Sequence, residues 1–272
     1  MSLLSIPVKS EWKLQAHIPA LLLLGGTVNG FVVRIIESWQ LSGGSAIFFG
    51  ISPLELIVIA VAAIIYIETQ SEVTFNPGIA ELAFLAALLI PSSAASWAAT
   101  FFYAVFHATR TQDHEQNAAL LMAALAASAL WSSIVMKWIA IPVTNFEASL
   151  VWQIISQFRD DLTLNGNIIG LADGHRIVLL IACTTAYGLP KAALGFFAIS
   201  LFLRNQNPKS LFNGLVATVI FYAAANLVRL ISMSWSEPLF HIAHGPIGTN
   251  LFDATTTAAI FLIAFVLSER QQ

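Results

Sequence analysis

Charge is scarce in this sequence. Only 10% of its 272 residues are Asp, Glu, Lys or Arg, while 57% are hydrophobic. Ordinary soluble domains carry about 25% charged residues, so this chain lacks the polar surface to keep a globular core in water. Basic residues are also few: 12 against 15 acidic ones, for a net charge of −3. That balance excludes the basic face on which nucleic acid binds. Cysteine occurs once, as Cys183. This excludes an internal disulfide and a cysteine-based metal site, and it leaves one free thiol. There is no His-Glu-x-x-His and no Gly-x-Ser-x-Gly. Asp160 and Asp161 are adjacent without a metal-ligand pattern around them and read as a solvated turn. Neither metal nor cofactor is expected. Internal repeats and low-complexity stretches are absent. The opening "MSLLSIPVKSEWKLQAHIP" has lysines but no compact apolar core followed by a small-residue cleavage site, so no removable signal peptide is expected.

Long apolar runs are what the sequence does have. They fall at 17–36, 50–67, 79–106, 117–142, 184–203, 211–230 and 250–267. A helix needs about 20 residues to cross the hydrocarbon of a bilayer. The expected fold is an all-α polytopic membrane bundle of seven or eight transmembrane helices. It forms a single membrane domain with N-terminal helices over 1–142, an extracytoplasmic segment over 143–182 and a three-helix region over 183–268. "GGTVNG" interrupts the first run and predicts a poorly formed helix there. The third run is too long for one straight crossing and contains Pro91, which predicts either a kinked helix or two short ones.

The loops give a sidedness. "RNQNPKS", 204–210, carries Arg204 and Lys209, "ATRTQDHEQN" carries Arg110 and the tail "SERQQ" carries Arg270, whereas "ETQSEVTFNPG", 68–78, has two glutamates and no basic residue. Basic loops favour the cytoplasm, so 143–182 and 231–249 belong to the outer face of a cytoplasmic membrane. Arg159 and Arg176 in the first of these run against that trend. Within it, "NFEASLVWQIISQF" has the spacing of an interfacial amphipathic helix. "TLNGNIIGLADGHRIVLLI" follows, with two Gly turns between β-prone runs, and predicts a small hairpin.

On this topology three groups reach the same depth on the outer side. Cys183 begins one helix, Arg229 ends the next and His244 precedes the last. A thiol needs a base and a nearby cation to act as a nucleophile at neutral pH. His244 can take its proton and return one to a leaving amine, and Arg229 can hold an oxyanion or a substrate carboxylate. Such a set suits acyl transfer through a thioester. Each residue also has a plainer reading. A lone membrane cysteine packs as a small hydrophobe, and Arg229 can snorkel to headgroups. Asn226, one turn before Arg229, either faces the same pocket or only links helices. His241 and His244 can both be solvated. Lys191, two turns inside Cys183, either raises the local positive potential or pairs with a carboxylate. Glu55, Glu81 and Asp253 stand near span ends, where structural roles are the default.

At these residues the sequence resembles the exosortase/archaeosortase family of membrane cysteine transpeptidases, over about 147–267. "NGNIIGLADGHRIVLLIACTTAYGL" is similar to the family's Gly-x-x-Ile-x-Leu-x-x-Gly stretch running into its cysteine motif, with "CTT" where the family has Cys-Ser-Gly or Cys-Ser-Ser. "AAANLVRLISM" resembles the Asn-x-x-Arg helix, and "HGPIGTNLF" the His-x-x-x-Gly element that aligns His244 and Gly248. The resemblance implies Cys183 as nucleophile with Arg229 and His244 as partners. It implies substrates that are secreted proteins held in the lipid bilayer by a C-terminal tripartite tail, cut near the outer face. The acyl group would then pass to an amine, a lipid or water. Two other classes compete: a transporter or channel lined by Arg229, Asn226 and Lys191, and a non-catalytic secretion scaffold. Nothing in the sequence sets an oligomeric state.

Overall fold

The computed structural model describes residues 18–42, 51–69, 78–172, 174–204 and 207–269, with side chains from 38 to 42 outside that description. The basic tail residue Arg270, residues 205–206 and most of the acidic stretch 68–78 lie outside the described residues. Five helices among the described residues are long and apolar enough to cross a membrane: Ile18–Glu37, Asp113–Trp138, Thr185–Phe202, Pro208–Trp235 and Pro246–Glu269. The protein is mostly helical, with one small sheet.

Helix α1 (Ile18–Ser42) is continuous through "GGTVNG", contrary to the expected break. The glycines are contact points instead. A Cβ on Gly26 would lie 2.6 Å from Thr100 Oγ1, and one on Gly30 would lie 2.7 Å from the Trp97 ring. Gly26 and Gly30 are four residues apart, so one face of α1 is bare enough for a neighbouring helix to approach closely. Gly25 faces open space.

The long third run divides into α3 (Ile79–Leu88) and α4 (Ser93–Ala108). Pro91 lies in the break. Asn29 of α1 donates through Nδ2 to the Leu88 carbonyl at 3.2 Å and to Ser96 Oγ at 2.9 Å. The polar residue of the glycine-rich stretch thereby satisfies a carbonyl freed where α3 stops. Before them comes α2 (Pro53–Glu68), whose N-cap Ser52 and Glu55 form a capping box.

After α4 comes α5 (Asp113–Leu130), which continues through a π-helical turn, Trp131–Val135, into α6 (Met136–Trp138). The expected span 117–142 therefore stops short at Ile139. Helix α7 (Ala140–Ile155) buries Thr144, Glu147, Ala148, Val151 and Ile155. Those positions form the single stripe that its sequence spacing predicts.

The predicted hairpin is present and gains a third strand. β1 (Leu162–Asn165), β2 (Ile168–Leu171) and β3 (Arg176–Val178) pair antiparallel in the order β1-β2-β3. Gly166 turns the first hairpin at φ +61°, and Gly174 has φ +94°, backbone that glycine adopts without a Cβ penalty. Ile169, Ile177 and Leu179 pack on Ala148, Val151, Leu230 and Met233. The sheet is thus fixed to α7 and to the end of α9.

The remaining helices are α8 (Thr185–Phe202), α9 (Pro208–Trp235), α10 (Glu237–His244) and α11 (Pro246–Glu269). The short α10 had no counterpart among the expected elements. Helix α8 packs on α9, α11 and α2, and α2 also packs on α5. Helix α2 joins the N-terminal helices to the C-terminal group, with Leu54 set among Ala192, Phe196, Ile199, Ile260 and Ala264.

Candidate functional site

Cys183 ends a one-turn 3₁₀ helix, Ile181–Cys183, that leads into α8. Its own N–H donates to Leu180 O at 2.9 Å. The next residue, Thr184, is N-cap of α8 by backbone shape, yet its hydroxyl turns back to Ile181 O at 2.7 Å and caps nothing. The cap comes from elsewhere. Glu147 of α7 accepts the Thr185 N–H on both carboxylate oxygens, at 2.8 and 3.0 Å. It also takes hydrogen bonds from the Ala186 N–H and the Thr185 hydroxyl. A carboxylate at a helix start is favoured by the exposed N–H groups and by the helix dipole.

Asn226 of α9 grips the same stretch from the other side. Its Nδ2 donates to Cys183 O at 3.0 Å and to Thr185 Oγ1 at 3.1 Å. The residues flanking the thiol are therefore held by two side chains from two helices. Asn226 fulfils both of its sequence readings, since it links helices and lines the same cavity.

One turn on, Arg229 donates through Nε to Ala243 O at 3.2 Å and through Nη2 to Thr249 Oγ1 at 3.1 Å. Its guanidinium also lies 5.0 Å from the Phe252 ring centroid. These contacts fix α9 against α10 and the start of α11. Nη1 has no hydrogen-bond partner among the described residues. His244 is the last residue of α10, its ring centroid 5.0 Å from that of Phe240.

Cys183, Arg229 and His244 line one cavity of about 480 Å³, together with Asn226, Lys191 and Asp253. Cys183 just before α8, Arg229 and His244 at the end of α10 thus share a common space, although Arg229 does not end its helix as expected: α9 continues six residues beyond it to Trp235. His241 is excluded from it. Its side chain is 71% exposed and stands 3.7 Å from Glu237, one turn earlier on α10. Lys191 takes the second of its readings: its Nζ is 3.5 Å from Glu55 Oε1. Glu55, whose side chain is only 3% exposed, is held as well by Arg34 at 3.2 Å and by the Ser52 N–H at 2.7 Å.

The electrostatics at the sulfur are mixed. Burial pushes the Cys183 thiol up from the ordinary cysteine range; the Arg229 charge and the backbone bond to Leu180 pull it down, and the Glu147 charge pushes it up again. Burial dominates, so the resting group is a thiol that needs a base before it can attack. Burial likewise raises Glu147, against the hydrogen bonds at the start of α8.

Sequence reasoning missed Glu147 as part of this site. Its signal was a lone acid on the apolar stripe of α7. Thr249, the Arg229 partner, lay unused in "HGPIGTN". Among the described residues no three His, Cys, Asp or Glu side chains gather where they could hold a metal ion. Comparison with protein-family models, with curated proteins and with solved structures finds no match.

Proposed function

We propose that this protein is a membrane-embedded cysteine transpeptidase or peptidase of the exosortase/archaeosortase kind, cleaving the C-terminal sorting tail of membrane-anchored secreted proteins. The observation that carries the reading is the shared cavity of Cys183, Arg229 and His244. Sγ attacks the carbonyl carbon of the scissile peptide while His244 accepts the thiol proton. The oxyanion forms facing Arg229, whose free Nη1 can donate to it. Collapse breaks the C–N bond, and the departing amine of the tail takes the proton from His244. The resulting thioester is attacked by an amine or water, which passes its proton through His244 to the regained thiol.

In this reading the chain has seven or eight crossings in a cytoplasmic membrane, with the cavity on the outer face. Helix α2, at 16 residues, is about 24 Å long. Helices α3 and α4 double back on each other, with Glu81 and Phe84 of α3 meeting Tyr103 of α4, so they count as two short crossings and, with α2, bring the five long helices to eight. The buried Arg34–Glu55–Lys191 cluster is the observation that speaks for a transporter. Both cations, however, converge on the single carboxylate of Glu55, which also closes the capping box of α2. That is the arrangement of a structural joint.

Tail removal from a co-expressed membrane-anchored substrate tests the proposal. Cys183→Ala is expected to abolish processing while leaving membrane insertion intact, and Cys183→Ser to lower it at least a hundredfold, since serine is the poorer nucleophile beside the same base. Unchanged processing in Cys183→Ala rejects the enzyme and favours the scaffold.

A further inference from the structure

Six carboxylates among the described residues are at least partly shielded from solvent, and five of them are held. Glu55 meets Arg34, Lys191 and the Ser52 N–H; Glu81 the Gly78 N–H; Glu115 His107; Glu147 the Thr185 N–H; Asp161 Arg159. The sixth is Asp253, on the second turn of α11. Its carboxylate makes no hydrogen bond and no ion pair with any described residue, yet it lines the Cys183 cavity. Proteins rarely leave a half-buried carboxylate unmatched, because desolvation is not repaid.

The charges of Arg229 and Lys191 act on Asp253 across the cavity, but neither side chain makes an ion pair or a hydrogen bond with it. Lys191 is spent on Glu55 at 3.5 Å. Arg229 is turned to Ala243 O and Thr249. Asp253 also borders a second hollow of about 510 Å³, whose other walls include Pro53, Ala254, Ala258 and Phe261. That hollow is apolar, and it adjoins the first at Asn250 and Asp253. An aliphatic stem fits such walls while a charged head meets the carboxylate.

We propose that Asp253 is a cation subsite of the Cys183 cavity, taking the ammonium or guanidinium of a lysine or arginine side chain on the peptide ligand. Identifying that ligand as the substrate rests on the transpeptidase reading. The subsite itself can be tested without any substrate, because Cys183 is the only thiol in the chain. The probes are cationic trimethylammonioethyl methanethiosulfonate, anionic sulfonatoethyl methanethiosulfonate and neutral methyl methanethiosulfonate. In each case the Cys183 thiolate attacks the divalent sulfur that carries the reagent's alkyl group, the bond from that sulfur to the sulfonyl group breaks, and a mixed disulfide and methanesulfinate result.

Modification rates are measured by intact mass on the full-length protein in detergent, and each charged reagent is referred to the neutral one in the same variant. Asp253→Asn is expected to lower the cation-to-anion rate ratio by about tenfold, as a unit charge within several ångströms does in a partly desolvated site. Asp253→Glu, which keeps the charge, is expected to keep the ratio near that of the unaltered chain. The subsite is overturned if Asp253→Asn leaves the ratio unchanged, or if both variants lower it equally. The two proposals separate cleanly. Processing lost in Cys183→Ala with an unchanged ratio in Asp253→Asn rejects the subsite alone, while intact processing with a lowered ratio rejects the transpeptidase and keeps the cation site.

Discussion

Two charges of opposite sign act on the Cys183 sulfur, and each belongs to a residue that also has a mechanical task. Arg229 ties α9 to the start of α11 through Thr249. Glu147 caps α8 immediately after the cysteine. Burial sets the high resting value of the thiol, and the two charges trim it in opposite directions. A pH profile of alkylation separates charge from mechanics. Iodoacetamide reacts with the thiolate, so its rate on Cys183 rises with pH and reaches half-maximum above the midpoint of an exposed cysteine. Glu147→Gln removes a negative charge that disfavours the thiolate, so the midpoint moves to lower pH. Arg229→Gln removes a positive charge that favours it, so the midpoint moves to higher pH. Glu147→Asp keeps the charge but withdraws the carboxylate from α8; its midpoint stays nearer the unaltered protein than that of Glu147→Gln. Midpoints that move in the same direction for Glu147→Gln and Arg229→Gln would show that exposure, not charge, governs the sulfur.

Helix starts repeat one device across the molecule. A glutamate carboxylate accepts the N–H of Ser52 before α2, of Gly78 before α3, of Ser93 at α4 and of Thr185 at α8. Bilayer interior offers no water to those N–H groups, so an acid from the protein takes its place. The first two caps are local: Ser52 with Glu55 is a Ser-x-x-Glu signature that sequence alone displays. The other two are supplied by Glu37 and Glu147 from different helices, over 56 and 38 residues of chain. No local pattern encodes them, because they exist only once the helices pack. The glycines of α1 divide the same way. Their composition predicts a weak helix, since glycine costs about 1 kcal/mol relative to alanine in a helix interior. Their spacing sets two of them against Thr100 and Trp97 of α4, with no room for a Cβ. The shared cavity of Cys183, Arg229 and His244 was more legible than these joints, because span length and alternation bring the three to one end of the bundle, although α9 runs on past Arg229 and α10, which ends at His244, was not foreseen. Opposite signs are therefore expected from one substitution. Gly25→Ala meets nothing and should stabilise by about 0.5–1 kcal/mol. Gly30→Ala drives a methyl into the Trp97 ring, which is almost wholly buried, and should destabilise by about 1–3 kcal/mol, overpacking outweighing propensity. Thermal unfolding midpoints in detergent measure both.

At the scale of the whole molecule, the sheet, α7 and α10 gather at the end of the bundle that holds the cavity, since the sheet packs on α7 and the end of α9 while α10 lies between α9 and α11. Arg204, just after α8, lies at the other end, 4.0 Å from Glu68 of α2, so the start of the acidic stretch 68–78 shares the basic end instead of standing opposite it, because α2 and α8 run in the same direction. The two arginines that ran against the expected sidedness are on the cavity end. One of them, Arg159, is tied down by Asp161 at 2.6 Å and by the Trp235 carbonyl at 2.8 Å, so it belongs to the folded cap over the helices. In the proposed reading, orientation then reduces to which end faces the cytoplasm, and Arg204 and Lys209 favour their own end. The single cysteine turns this into a measurement on intact cells. A membrane-impermeant maleimide added from outside should label Cys183, and blocking with the same reagent should prevent later labelling after the cells are opened. A thiol that resists the external reagent and reacts only once the inner face is exposed would invert the bundle. The cavity would then open to the cytoplasm, where no secreted protein could present its tail to it after export.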